Sequence, residues 1–423
     1  MFKYRFSFFT FYLMAFISIC YLGLNYDYFN LHYVEFALSV FFIGHNVIKN
    51  IFKEGLFSIG VIFNVFGFLY TNFLVIQSVI DNVPIDQYAY MAMELSYIGI
   101  ISFNITYNLT RVKRYSSYNG SKYLNLKRFN SFLIAFFLIS LASAYYVLFV
   151  KIGIFNYLFL SRAEQSLLRS DYTIFTFYNH TFPIIGAISL YLYLKYKNKI
   201  NFFIFVMAFS FSMAEAIISM SRAEMLAIAL PILFILNYFN IISNQTSLFF
   251  SLGGVALFGI WKSLFTENIE VQYDGEFLSW YRICRDVLKD PNTSFLYGKS
   301  YFNTLLNLVV PVTGVESLST WYVRNYQYDV FSAGGGRGFS CVLEAYLNFH
   351  IFGVIFIYSL YGYWAKKLRA TKEINIMIYM MVLVSVNMLF RSESYAFWKN
   401  MMWLKVYPIL LFYHFSRNKK ITQ

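Results

Sequence analysis

Apolar residues run through this chain in stretches of helix length, and the polar and charged residues gather in the intervals between them. The runs lie near 6–24, 31–48, 56–78, 88–109, 131–150, 173–194, 202–220, 225–240, 248–265, 340–363, 374–390 and 401–415. Each comes close to the length an α-helix needs to cross hydrocarbon, and none shows the strict alternation of a membrane β-strand. The pattern predicts an all-α, polytopic integral membrane protein with about 12 transmembrane helices in a single membrane domain, 1–423. The first run is long, aromatic and without a small-residue cleavage site, so it reads as a retained span rather than a signal peptide.

Composition supports this reading. Only 13% of residues are charged and 59% are hydrophobic, with aromatics at 22%, which excludes soluble, disordered, collagenous and disulfide-stapled chains. Cys20, Cys284 and Cys341 stand far apart without a C-x-x-C pair and say little about redox compartment. A net charge of +13 would point to nucleic acid in a soluble protein. Here it is a topology signal. With the N-terminus inside, the inner intervals hold Lys3 and Arg5, Lys49 and Lys53, the cluster within 111–128, Lys195, Lys197 and Lys199, the cluster within 366–372, and Arg417, Lys419 and Lys420. The only acids among them are Glu54 and Glu373, so the positive-inside rule places both termini in the cytoplasm and nucleic acid is not needed to explain the charge.

On the outer side arginine outnumbers lysine, the reverse of the inner side. Lysine suffices for topology, whereas the guanidinium fork grips phosphate or carboxylate, so outer arginines suggest an anionic ligand; pairing with local Asp and Glu is the alternative. Two outer intervals are long, an amphipathic segment at 151–172 and a large segment at 266–339. In the first, Arg162 and Arg169 are two helical turns apart on one face, about 10 Å, a span suited to the diphosphate and first sugar of a lipid-linked ligand. They would otherwise snorkel to lipid headgroups or pair with Glu164 and Asp171. The word Ser-Arg-Ala-Glu recurs at 221–224, where Arg222 and Glu224 occupy a short turn at the membrane edge and each needs a partner or a ligand.

Residues 334–340 read Gly-Gly-Gly-Arg-Gly-Phe-Ser and run straight into an apolar stretch. Gly335, Gly336 and Gly338 let backbone N–H groups converge on an anion, Arg337 adds a fork, and a helix starting near Ser340 adds its dipole. No Gly-Lys-Ser/Thr follows, so this is not a Walker loop; a hinge is the plainer reading. Glu344, in the first turns of that helix, is a candidate general base or arginine partner. Arg282, Arg285 and Lys289 share a helical face, and Trp280 and Tyr281 between them could stack on sugars or simply pack; Arg324 stands between Tyr322 and Tyr326 in the same way. Asp274 and Glu276 are too few for a convincing Mg²⁺ site, and the five histidines show no metal spacing, so neither metal nor cofactor is expected. Glu35, Glu94 and Glu215 fall within spans and are candidates for a proton or ion path, while Lys262 and Lys405 are expected to reach the interface.

Together the span count, the arginine-bearing segment at 162–169, the outer-edge S-R-A-E at 221–224, the large late segment and G-G-R-G-F-S…E-A-Y-L-N-F-x-x-F-G from Gly335 to Gly353 resemble the Wzy-type O-antigen polymerases. Such proteins often read N-F-G where this chain has Asn348-Phe349-His350, which makes His350 an additional candidate. The resemblance implies a metal-independent glycosyltransferase of the bacterial inner membrane. It would use undecaprenyl-diphosphate-linked oligosaccharide as donor and acceptor at the periplasmic face, alongside a Wzz-type chain-length regulator. It further implies Arg222, Arg337 and Glu344 in catalysis, with Arg162, Arg169, Arg282, Arg285, Gly335, Gly336 and Gly338 binding substrate. An O-antigen ligase, a lipid-linked oligosaccharide flippase and a proton-coupled permease are the alternatives; the permease would depend on Glu94 and Glu215 rather than on Arg337.

Overall fold

A computed structural model describes residues 31–81, 85–112, 125–153, 177–218, 222–247, 249–250, 276–310, 316–332, 338–368, 373–386 and 388–416. The described residues are helical and include no strand. In chain order the helices are α1 (Leu31–Glu54), α2 (Ile59–Asp81), α3 (Gln87–Leu109), α4 (Leu126–Tyr145), α5 (Tyr178–Tyr196), α6 (Lys199–Ile218), α7 (Arg222–Tyr238) and α8 (Glu276–Lys289). There follow α9 (Lys299–Val309), α10 (Leu318–Tyr326), α11 (Tyr328–Ser332), α12 (Cys341–Lys367), α13 (Glu373–Ser385), α14 (Met388–Arg391), α15 (Ser394–Met401) and α16 (Tyr407–Phe415). Among the described residues, Ile59–Ser78, Leu126–Ile152, Lys199–Ile218 and Cys341–Lys367 are long and apolar enough to cross a membrane, and Met225–Tyr238 is a shorter apolar helix. The expected run at 6–24, and all but two residues of that at 248–265, lie outside the described residues.

Helix starts follow capping chemistry. Asp86 accepts from the Tyr88 N–H at 2.9 Å, Asn125 from the Arg128 N–H at 3.2 Å, and Ser317 from the Thr320 N–H at 3.0 Å, each satisfying a donor that the helix itself leaves open. The segment 266–339, expected as a large outer loop, is not a plain loop, because α8 to α11 are built within it.

The chain divides into two compact units. The first takes in 1–110, 271–298 and 339–366. Polar side chains inside it are paired across apolar helices, as expected where no water is at hand. Asn64 and Asn104 exchange amide hydrogen bonds at 2.9 and 2.7 Å, and Asn72 Oδ1 accepts from Ser39 at 2.7 Å and from Tyr97 at 2.6 Å. At one end, Glu54 takes an ion pair from Lys366 Nζ and a 2.5 Å hydrogen bond from the Tyr107 hydroxyl, with the ammonium 4.4 Å from the Tyr107 ring centroid. That contact requires Glu54 and Lys366 to share one side, as the charge pattern has them.

The helix expected at 340–363 corrects the simple picture of a straight span. Phe349 (φ −145°, ψ 25°) and His350 (φ 54°, ψ −151°) interrupt α12 and turn it sharply. The second arm returns so closely against the first that a Cβ on Gly353 would lie 2.2 Å from the Ala345 carbonyl oxygen. In a straight helix those two residues would be about 12 Å apart. His350 therefore holds a backbone conformation that suits glycine, and Gly353 is glycine because no side chain fits there.

The second unit takes in 111–270, 299–338 and 367–423. In it α5 and α6 pair, with Phe182 stacked on Phe211 at 5.3 Å, and Ser140 and Thr181 share a 2.8 Å hydrogen bond. The last carbonyls of α9 are capped by Trp403 Nε1 on Asn307 O (2.7 Å) and by the Tyr407 hydroxyl on Leu308 O (2.8 Å). The run expected at 374–390 is also broken: at Val386 a three-residue turn, Val386 N to Leu383 O at 3.4 Å, replaces the helical bond, and α14 starts afresh. Beside the break Lys405 donates to Ser385 Oγ at 2.8 Å, so it turns inward instead of reaching the interface. Lys262 lies outside the described residues.

Alanine at Gly353, or at Gly362, where a Cβ would meet the Phe103 carbonyl oxygen at 2.4 Å, should each lower the thermal midpoint in detergent, by a destabilisation of about 1–3 kcal/mol or more. Gly44→Ala, in the interior of α1 with nothing within 4 Å, should raise it slightly. Equal midpoints for Gly353→Ala and Gly44→Ala would show that the arms of α12 do not meet as described.

Candidate functional site

The glycine run enters the first arm of α12, residues 341–348, through Gly338, Phe339 and Ser340. Ser340 caps the arm, its hydroxyl accepting from the N–H of Val342 at 3.2 Å and its carbonyl from that of Glu344 at 2.9 Å. Phe339 and Glu344 are fully buried, and Gly338 is exposed. At the far end the Leu296 N–H reaches the Leu347 carbonyl at 2.8 Å, and Phe295 lies 4.0 Å from the His350 ring. Folding back brings Cys341 and Glu344 within electrostatic reach of Tyr358 on the second arm. The sequence places Gly335, Gly336 and Arg337 directly before this capped N-terminus, but those three residues lie outside the described ones.

Helix α8 decides between the two alternatives left open for its aromatic residues. Trp280 and Tyr281 are each only 2% exposed, their Nε1 and hydroxyl donating to the carbonyls of Tyr70 (2.9 Å) and Thr71 (2.5 Å) on α2. Both rings are core anchors and are closed to sugars. A buried indole or phenol needs a hydrogen-bond partner, and mid-helix carbonyls supply it. Cys284 is buried on the same face, and burial pushes its thiol and the Tyr281 phenol well above their ordinary values. On the opposite face Arg285 is exposed and pairs with Asp286 at 2.9 Å, and Arg282 is half-buried. Arg324 pairs likewise with Glu316 at 2.9 Å. Arg285 and Arg324 thus take the local-pair alternative in this structure.

The second unit holds a partly open cavity that the sequence reading did not assemble. Its walls come from the C-terminal end of α4, the N-terminal end of α5, the C-terminal end of α6 and the start of α7, and include Tyr178, Phe182, Phe211, Ser212, Glu215 and Ile228. Alternating helix directions bring these ends together. A small apolar cluster of Ala216, Met225 and Ile228 ties α6 to α7, and Arg222 to Glu224, expected in a short turn, are instead the first residues of α7. Glu215 is 8% exposed. Next to the cavity α4 passes into a π-helical turn, Tyr146–Ile152, which ends at Gly153 with φ 84°. Such turns recur at functional sites. The signals available in the sequence were Glu215 itself and the short interval at 221–224 between two apolar runs, yet neither reveals which helix ends meet.

Arg222 is the first residue of α7, and its side chain, like all of Arg162 and Arg169, lies outside the described residues. By chain range the first unit carries Arg282, Arg285 and Glu344, and the second carries Arg162, Arg169, Arg222, Gly335, Gly336, Arg337 and Gly338. Among the described residues no group of three or more His, Cys, Asp or Glu is arranged to hold a metal ion.

Neither the curated proteins nor the solved structures offer a match to this chain. A family model does match: residues 280–420 fit that of the O-antigen polysaccharide polymerase Wzy. This stretch contains the glycine run, the capped and folded-back α12, and the α9 to α16 part of the second unit. With the apolar helices described above, this similarity over about a third of the chain fits a membrane protein of polysaccharide biosynthesis.

Proposed function

We propose that this protein polymerises undecaprenyl-diphosphate-linked repeat units of O-antigen, or of a related surface polysaccharide, at the periplasmic face of the bacterial inner membrane. The growing glycan leaves its lipid diphosphate and is joined to the next lipid-linked repeat. The observation that carries this reading is the family match over 280–420, because it takes in the glycine run with Arg337 and the helix that follows. Twelve spans with both termini cytoplasmic would put the arginine-rich intervals on the side where lipid-linked repeats are joined.

The chemistry asks for little beyond fixed positive charge. As the bond from the anomeric carbon to phosphate breaks, negative charge grows on the departing diphosphate, and preorganised donors aimed at that charge lower the barrier. Arg222 and Arg337 supply guanidinium forks for this step, and Gly335, Gly336 and Gly338 let backbone N–H groups approach the phosphate oxygens. Arg162 and Arg169 hold the donor's diphosphate and first sugar, while Arg282 contributes positive charge for the anionic lipid-linked substrate; Arg285, paired with Asp286, is left out of this set. With charge supplied in this way the transfer requires no metal. A chain-length regulator of the Wzz type would act on the same growing polymer.

In a strain lacking the chromosomal copy, Arg337→Ala and Arg222→Ala should abolish long-chain polysaccharide and leave single-repeat lipopolysaccharide in place. A gel of the lipopolysaccharide reads both. A full ladder from both variants at normal protein level would remove them from the polymerase site. Lysine at either position should restore little, since a point charge cannot reproduce a bidentate fork. Wild-type ladders from Arg337→Lys and Arg222→Lys would reduce the requirement to charge alone.

A further inference from the structure

We infer that α9 is a re-entrant membrane segment, which lays its outward face against the acyl chains of bilayer phospholipids although it belongs to the interval 266–339 expected outside the membrane. Where this helix sits is independent of the polymerase reading.

The two faces of α9 are the reverse of those of a helix in water. At about 100° per residue, Ser300, Thr304 and Asn307 fall on one face and Phe302, Leu305, Leu306 and Val309 on the opposite one. The polar face is turned inward, with Thr304 buried and Asn307 only 1% exposed. The apolar face is turned out, with Leu305 62% and Val309 76% exposed. No charge occurs from Ser300 to Val315, between Lys299 and Glu316. A helix that buries its amide and hydroxyl groups and shows its leucines is matched to an apolar solvent.

The end of the helix is finished in the same sense. The last carbonyls of a helix lack partners within it, and at an aqueous surface water can satisfy them. Here the Leu306 carbonyl takes the Val310 N–H at 3.0 Å, and those of Asn307 and Leu308 take the Trp403 indole and the Tyr407 hydroxyl. Hydrocarbon demands such capping, because it offers no donor of its own.

The chain then turns back. α15, a π-helical turn at Met402–Val406 and α16 follow one another without a break from Ser394 to Phe415, and include the run expected to span at 401–415. α9 packs on α15, and its end meets Trp403 and Tyr407. Beyond it, the Leu318 N–H is bound by the Glu393 carboxylate at the very start of α15. From Glu393 to Trp403 is about 15 Å along a helix, roughly half the thickness of the hydrocarbon. The segment thus descends beside this helix and returns to the end from which it came.

The test uses the full-length chain carrying Leu305→Cys, Val309→Cys or, as an exposed reference on α10 in the same interval, Asn325→Cys. Each is labelled with bimane and reconstituted in nanodiscs of phosphatidylethanolamine and phosphatidylglycerol, and label on the native cysteines, measured in the unsubstituted chain, is subtracted. Phospholipid brominated on its acyl chains should remove most of the emission at Leu305 and Val309 and leave that at Asn325. Aqueous iodide should quench several-fold more strongly at Asn325 than at either. At Val309, bromines midway down the chain should quench more than bromines near the headgroup. Both α9 positions are exposed, so either one decides the matter if the other variant accumulates poorly. Iodide quenching on α9 equal to that at Asn325 would put the helix in water and overturn the inference. Protection from both quenchers would mean that protein, a second copy of the chain included, covers this face, and would overturn it equally. Stronger quenching of Val309 by the shallow bromines would leave α9 flat at the interface and overturn the re-entrant path.

Discussion

In hydrocarbon a polar group has no solvent to fall back on, so every carbonyl, amide and carboxylate that enters must meet another part of the protein. That constraint organises what is described here. It pairs Asn64 with Asn104 and ties Ser39 and Tyr97 to Asn72. It also draws the indole of Trp280 and the phenol of Tyr281 onto carbonyls of α2. It acts on the interrupted helix as well: where α12 turns, the Leu347 carbonyl that would lose its partner takes the Leu296 N–H. The segment before Gly298 is thereby fastened to the turn.

The two units make different use of the same material. In the first, close backbone approach at Gly353 and Gly362 and stacked rings at Phe63 and Phe103 (3.6 Å) give a tightly closed interior around Glu344. The second leaves a small space where four helix ends meet, bordered by a π-helical turn and lined in part by a carboxylate. A tight core fixes geometry, whereas a helix end left partly unfilled leaves its side chains room to move.

How much of this could be read from the residues alone depended on the range of the signal. Apolar runs of helix length gave the helices at 59–81, 87–109 and 199–218 to within about three residues at each end. The glycine run, Ser340 and Glu344 were legible as a helix start from local chemistry. The turn at Phe349 and His350 was not, because a histidine in a glycine-type conformation carries no local mark; the only hint was the usual glycine of N-F-G. For Trp280 and Tyr281 the choice between stacking on sugars and packing stayed open in the sequence because their partners, Tyr70 and Thr71, are about 210 residues away in the chain. The Glu215 cavity stayed hidden because it needs the ends of four helices.

The Lys366 and Glu54 pair has a consequence for how the chain is made. Topology is decided while segments enter the bilayer one after another, when Glu54 has long since emerged and the helix ending at Lys367 has yet to dock. At that moment Lys366 is a free cation and holds its flank on the side where it began. Once the helices close, the same ammonium is neutralised by the carboxylate and covered by the Tyr107 ring. One side chain thus serves first as a signpost for the insertion machinery and later as mortar, and a protein so built can orient itself with charges that its finished surface no longer displays.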